Sequence, residues 1–530
     1  MHAETLQELS PFEFKDKLIE IATSHKDRIL LNAGRGNPNF LATQPRYAFL
    51  CLGDFALKES ERSYHYLNAG SGFGGLPEKE GIVNRFDCYA ALHAENSSIS
   101  FLQAALSFAL DHLGIEKEDL LYEFTHAFLG CNYPVPPRML PLIEKVVKAY
   151  LAAELCGTTT KNEEFDLFAT EGGTAAMTYL FHTLHVNEIL NPGDTVAIVT
   201  PIFSPYLEIP RIPTYNLKIT EIKSNEQQGW QVPDEELEKL LDPNIKLLFM
   251  VNPSNPSSVK MNREFLDKLE HIVNNSRPEL MIVTDDVYAT FSDHFRSVFS
   301  RCPYNTLCVY SFSKYFGATG WRLGTIMLHE RNVFDDLTKK LEAHSQHRLD
   351  RRYASLTNQP KQLKFIDRLV ADSRAVALNH TAGLSLPQQL QMALFALANL
   401  MDENQNFKAE AKRLIGRRYQ ILYEAIGLPT QYNENSVNYY SLIDLEVLSR
   451  NLYSTDFSQW LVQRMSLPEF IMRLADETGV VLLPGSGFDV ETPCARVSLA
   501  NLSEYDYQTI GLAIRRVMDE YYTQFQNTRG

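Results

Sequence analysis

Lys314 follows the apolar run TLCVY (306–310) and lies inside SFSKYFGATGWRLG (311–324), with Arg322 eight residues further on. A lysine at a strand end is ordinarily a solvated charge. Its company changes the reading. GGT (172–174) stands ahead of the helical stretch TAAMTYLFHTL, Asn255 in NPSNPSS follows the run KLLFMVNP, and Asp285 and Tyr288 close MIVTDDVY. Open α/β sheets gather ligands beyond the carboxyl ends of their strands, where these residues fall. Together they offer an amine that attacks carbonyl carbon, a carboxylate, neutral donors, and small residues that expose helix N–H groups to an anion.

One ligand uses all of these. Pyridoxal 5′-phosphate needs an amine for its aldehyde, a carboxylate to keep its ring nitrogen protonated, and neutral donors for its phenolic oxygen. On this reading Lys314 supplies the amine, Asp285 the carboxylate, and Asn255 with Tyr288 the donors. Ser311 and Arg322 join Gly173 and Thr174 on the phosphate, Arg322 as a charge-assisted fork. Two competing patterns are weaker. AGSGFGGLPEKEG (69–81) has no Gly-Lys-Ser/Thr and follows no strand, so it reads as a flexible loop. The Asp285 and Asp286 pair has no His, Cys or Glu at ligand spacing nearby, so no metal is expected.

The elements that must hold these side chains are legible as alternating apolar runs and helical patterns from about 166 to 330, the signature of an α/β layer with a mostly parallel sheet. The spacing predicts strands over 195–203, 246–253, 281–288, 306–313 and 324–330. It also predicts a helix over 262–275 with Asn262 as its N-cap. A helical region precedes this layer and a basic helical segment, 335–377, follows it. Further strands are expected at 437–447, 479–485 and 495–501. The division expected is an N-terminal segment with a helical insertion (1–150, part of a small domain), a large domain (151–385, with a basic insertion near 340–380) and a C-terminal small domain (386–530).

Composition narrows the function classes. A formal net charge of −15 opposes general attraction to nucleic acid or anionic lipid, so small molecules are the expected partners. The seven cysteines are scattered, odd in number and form no C-x-x-C pair, which argues against a disulfide framework or a zinc cluster. With no apolar leader in MHAETLQELSPFEFKDKLIEIA and no run of eighteen apolar residues, the expected location is the cytoplasm and no membrane contact is expected.

In this order the motifs resemble those of the class I and II aminotransferases, which are fold-type I pyridoxal-phosphate enzymes. The shared set is G-x-P (36–38), the turn with Gly173 and Thr174, P-x-F (201–203), N-P (255–256), D-x-x-Y (285–288), S-x-x-K with its later arginine, and R-x-S (496–498). The resemblance implies that Phe203 stacks on the cofactor ring, that Arg496 binds the substrate α-carboxylate, and that Gly36, with Arg35 before it, lies against substrate. It also implies that Tyr133 reaches a neighbouring subunit's phosphate site, hence a homo-oligomer of at least two subunits.

The chain has about 130 residues beyond a typical member, most visibly in 50–125 and 340–380. With NAGRGNPNF, NHTAGLSLPQQLQMALFAL and PGSGFDVETPCARVSLANL, these segments resemble the aspartate 4-decarboxylases, or L-aspartate β-decarboxylases. That branch converts L-aspartate to L-alanine and CO2, transaminates aspartate with 2-oxo acids as a side activity, and forms assemblies as large as dodecamers. Two departures from the aspartate aminotransferase pattern stand out: Phe203 replaces the stacking tryptophan, and no second arginine is evident for the distal carboxylate. The alternatives are a plain aspartate or alanine aminotransferase and, more remotely, a regulator that keeps the fold and cofactor.

Overall fold

The computed structural model describes residues 11–24, 29–67, 72–157 and 164–529. In chain order the strands among them are β1 (Leu31–Asn32), β2 (Phe165–Thr170), β3 (Thr195–Thr200), β4 (Lys218–Lys223), β5 (Ile245–Val251), β6 (Met281–Asp285), β7 (Thr306–Ser311), β8 (Gly324–His329), β9 (Tyr440–Asp444), β10 (Val480–Val481), β11 (Leu483–Pro484) and β12 (Cys494–Ser498). Contacts divide the chain into two units. One comprises Met1–Phe40, Pro192–Ser276 and Ala409–Gly530, and the other Leu41–Asn191 and Arg277–Lys408.

In the second unit the strands run in the order β2-β8-β7-β6. β6 and β7 are parallel, whereas β8 is antiparallel to both β7 and β2. Every residue of these four strands is buried. A sheet covered on both faces reads as continuous apolar runs, which is why β6, β7 and β8 are plain in the sequence. The helix Gly173–Val186 packs on β7 and β8, and Phe365–Asp372 on β2. The N-terminal insertion supplies Gln44–Ser63, Ser97–Leu113 and Lys117–Leu129, which pack with Pro141–Leu151 and Leu386–Leu400. Local signals set their ends: Asn96 accepts from the Ser98 N–H, and Gly114 turns left-handed at the far end of the same helix. Of the Gly-rich loop, residues 69–71 lie outside the described ones, and 72–79 carry no helix or strand.

The first unit holds β5-β3-β4, all parallel, an antiparallel β11-β12-β9 sheet and the parallel pair β1-β10. The helix Arg263–Asn275 buries Phe265, Leu269 and Ile272 on one face, and Asn262 caps it by accepting from the Phe265 N–H, as its sequence predicts. The strand expected over 437–447 is shorter. It ends at Asp444, whose carboxylate accepts from the N–H groups of Glu446 and Val447 and starts the helix Leu445–Leu452. Similarly, 479–485 forms two short strands rather than one. β4 was not anticipated, because KITEIK alternates charged with apolar residues and only Ile222 is fully buried.

Candidate active site

In the second unit, strand register assembles the polar residues. Gly324 pairs with Ser311 on one side and with Thr170 on the other, which puts Arg322 and the turn after β2 at the carboxyl end of β7. Gly172 has φ +89 and N-caps the helix Gly173–Val186. A Cβ there would stand 2.6 Å from an Arg322 guanidinium nitrogen, and one at Gly324 would stand 2.7 Å from the Gly172 carbonyl carbon. Glycine at both positions lets the backbone and the arginine close on one another. A Cβ at Gly173 would lie 3.8 Å from the Ser311 Cβ and 4.0 Å from an Asp285 carboxylate oxygen. Gly173, Ser311, Asp285 and Arg322 therefore share one end of the sheet, with Thr174 exposed on the first turn of the helix.

Lys314 is half-buried in the turn that follows β7. Phe312 N–H donates to Leu323 O at 3.0 Å and Ala318 N–H to Ser313 O at 3.0 Å. Buried Phe312, Tyr315 and Phe316 anchor the turn from below, with Phe316 stacked on Phe395 at 4.8 Å between centroids. Arg46 donates to Phe316 O (3.1 Å) and Gly317 O (2.8 Å), holding the turn from the helix Gln44–Ser63. Ser311 Oγ lies 2.9 Å from Ser313 Oγ and 3.2 Å from Leu323 O. The sequence gives no signal for Arg46, and Ser313 is visible only as a neighbour of the lysine.

The adjacent carboxylates at the end of β6, Asp285 and Asp286, have different surroundings. Asp285 is 5% exposed and accepts from the Val287 N–H at 3.1 Å. Asp286 is fully buried, accepting from Thr284 Oγ1 at 2.5 Å and Cys308 Sγ at 3.4 Å, and burial pushes its carboxyl up to about 7. A folded-state value above the unfolded one means that folding favours the protonated form. The stabilising protonation is complete below the unfolded pKa of about 4 and lost as pH rises towards 7. Asp286→Asn removes the titration, so its stability relative to wild type should increase from pH 4 to 7 and then level off. The gain should not exceed about 4 kcal/mol, measured by denaturant midpoints at pH 5 and 8. Tyr288 is 3% exposed, whereas Tyr133 is 65% exposed with its ring edge-on to His380 at 6.4 Å.

In the first unit the centre is Arg496 on β12, only 3% exposed. It donates to Asn255 Oδ1 at 2.9 Å and to Gly34 O at 2.7 Å. Its guanidinium carbon lies 4.3 Å from the Tyr440 ring centroid and 4.5 Å from that of Phe488, so cation–π contacts on both sides hold the fork. Asn255, 4% exposed, spends its carbonyl oxygen on Arg496 and keeps its amide as a donor. Tyr439 hydroxyl donates to Gly36 O at 2.8 Å. Residues 34–36 are thus pinned on both sides of Arg35, whose side chain is exposed. Phe203 packs against the cluster of Leu483, Phe488, Val490 and Cys494. Tyr440 and Phe488 were not singled out in the sequence, where they read as ordinary apolar positions.

The chain belongs to the class I and II aminotransferase family, whose model matches residues 126–511. It is 53% identical over 522 residues, 98% of both chains, to a Pseudomonas protein named bifunctional aspartate aminotransferase and L-aspartate beta-decarboxylase. An aspartate aminotransferase of Sulfurisphaera tokodaii is 23% identical over 338 residues, covering 62% of this chain and 68% of that one. Among solved structures, a double mutant of Thermus thermophilus aspartate aminotransferase matches with a TM-score of 0.60 at 17% identity, covering 98% of this chain and 99% of that one; this likeness concerns the fold.

The cofactor of this family is pyridoxal 5′-phosphate. The second unit fits it: an amine on a fixed turn, a buried carboxylate, and a helix N-terminus, serine hydroxyls and guanidinium suited to a phosphate share one sheet end. The space over Gly173 meets only ordinary contact distances, the nearest atom being 3.7 Å from a built Cβ. No helix among the described residues is long and apolar enough to cross a membrane.

Proposed function

We propose that this chain decarboxylates L-aspartate at Cβ to give L-alanine and CO2, with aspartate transamination as a side activity. The observation that carries this is the extent of the match to the bifunctional Pseudomonas enzyme, 98% of both chains at 53% identity, which spans the insertions as well as the residues of the site. The reading places Lys314 on the cofactor aldehyde, Asp285 at the ring nitrogen, and Asn255 with Tyr288 at the phenolic oxygen. It places Phe203 on the ring face, and Gly173, Thr174, Ser311 and Arg322 on the phosphate. Arg496 takes the substrate α-carboxylate as a planar fork that two aromatic rings and two acceptors already orient, so little ordering is left to binding.

When bound, pyridoxal phosphate supplies an electron sink for charge that develops at the substrate carbons. Lys314 would be the base that takes the Cα proton and returns protons to carbon, carried on a turn that Arg46 and the aromatic layer keep from drifting. Asp285 would keep the ring nitrogen protonated. A strong cationic clamp on the distal carboxylate would stabilise it before reaction and lose its grip as neutral CO2 forms, so a looser and drier distal pocket suits the chemistry. The test is the product: CO2 and alanine formed from L-aspartate without added 2-oxo acid. A plain aminotransferase would yield neither.

Arg35 is the residue we assign to orienting the distal carboxylate, a loose contact from an exposed side chain rather than the strong clamp that would oppose loss of CO2. Flanked by two pinned carbonyls, it has a fixed backbone and an exposed side chain. Arg35→Ala should depress CO2 release more than half-transamination, lowering the ratio of CO2 to oxaloacetate by about tenfold, and Lys should rescue only in part because it lacks the planar fork. An unchanged ratio would assign Arg35 to structure or general binding. We place Tyr133, whose phenol is free to reach beyond its own subunit, at a second subunit's phosphate site, and with it propose a homo-oligomer.

A further inference from the structure

The basic insertion contains a buried cation that no carboxylate among the described residues contacts directly. Arg368, in the helix Phe365–Asp372, is 5% exposed. It donates through Nε to Leu363 O (3.1 Å), through Nη1 to Asn187 Oδ1 (2.9 Å) and, at a longer 3.4 Å, through Nη2 to Pro360 O. All three acceptors are neutral. The Tyr353 ring lies 5.1 Å from the guanidinium carbon.

The acids whose charge reaches Arg368, namely Asp335, Asp372 and Asp350, make their direct contacts with other groups. Asp372 accepts from Arg352 at 2.8 and 3.0 Å and from the Tyr353 hydroxyl at 2.9 Å. Asp335 accepts from the Phe365 N–H and the Asn332 amide, both at 2.7 Å. Asp350 lies 3.8 Å from Lys361 Nζ. A buried charge without a partner carries a desolvation penalty that a bound counter-ion would offset.

Arg368 opens on a cavity of about 100 Å³ that Lys339, Lys361, Asp350, Thr338 and Gln346 also line. Thr338 hydroxyl is bonded to Phe334 O at 2.9 Å, and the Gln346 amide to Lys339 O and Leu341 O at 2.7 and 2.8 Å. The neutral donors are spent, so charge governs what enters. Three cations and one carboxylate line it, and with Lys339 also paired to Asp336 at 3.4 Å one net positive charge remains. The volume excludes a nucleotide or a drug-sized ligand, which needs roughly 300 Å³ or more.

We propose that this cavity binds a small oxyanion of the phosphate type. The site has a defined place in the fold. Asn187, which Arg368 holds, C-caps the helix whose N-terminus is Gly173, so an anion here would brace the far end of that helix.

The probe is inorganic phosphate, titrated into holoenzyme saturated with pyridoxal phosphate at constant ionic strength in chloride, with thermal unfolding as the readout. A saturable rise in Tm is expected, reproduced by sulfate and much weaker with acetate. Lys361→Ala and Lys339→Ala, both at exposed positions, should each raise the half-saturating phosphate concentration about tenfold while leaving turnover in phosphate-free buffer unchanged. A rise that does not saturate, that acetate matches, or that the double variant retains in full would overturn the proposal.

Discussion

Replacing Lys314 by alanine is expected to abolish the absorbance of lysine-bound cofactor and to lower turnover of aspartate by more than about 10⁴-fold, the upper range for removing a positioned base. The variant loses the covalent anchor as well as the proton carrier. Its fold should survive, because the turn is held by Arg46, by backbone hydrogen bonds and by the buried rings of Phe312, Tyr315 and Phe316, none of which needs the lysine amine. Unfolding should therefore shift by only a few degrees. Borohydride reduction supplies the decisive measurement. If the variant still carried a reducible cofactor linkage at the wild-type level, another lysine would be the attachment site.

Asp285→Ala should slow exchange of the substrate Cα hydrogen by about 10² to 10³-fold, the range for removing one preorganised electrostatic group. Asp285 also accepts from the Val287 N–H, so a stability loss of about 1 kcal/mol is expected beside the kinetic one. The adjacent carboxylate is the internal control. Asp286 faces Thr284 and Cys308 in the interior, and Asp286→Asn should keep near-normal exchange while changing the pH dependence of stability. Near-normal deuterium exchange in Asp285→Ala, or an equal loss in both variants, would reject a specific role for Asp285.

The residues that sequence reading found and those it missed differ in what locates them. Asp285, Ser311 and Lys314 stand at or just after the ends of fully buried strands, and continuous apolar runs broken by a polar residue make such positions visible. Gly172, Gly173 and Arg322 could be grouped by motif, yet their approach depends on β8 running antiparallel between β2 and β7, which the alternating pattern did not reveal. The setting of Arg496 was less legible still. Gly34, Tyr440 and Phe488 reach it from three separate segments, and nothing in local spacing ties an aromatic residue to an arginine far along the chain. Arg46 is of the same kind, a contact made across about 270 residues. Boundaries failed where a polar side chain overrode an apolar run, as when Asp444 turned the end of an expected strand into the start of a helix.

The outer rim of β4 bears on how copies of this chain can associate. Its Lys223 N–H donates to the Glu236 carboxylate at 2.7 Å, and its Glu221 carbonyl accepts from Lys239 Nζ at 3.0 Å. Glu236 and Lys239 are themselves paired at 2.5 Å, so one salt-bridged couple occupies both a donor and an acceptor that a strand from another molecule would need. A free edge of this kind is a template for intermolecular pairing, and side chains already bonded along it remove the template. Self-association by lengthening the sheet is thereby blocked at β4. A stable assembly of this chain must bury side-chain surface elsewhere, and misassembly through this rim would first require Glu236 and Lys239 to be displaced.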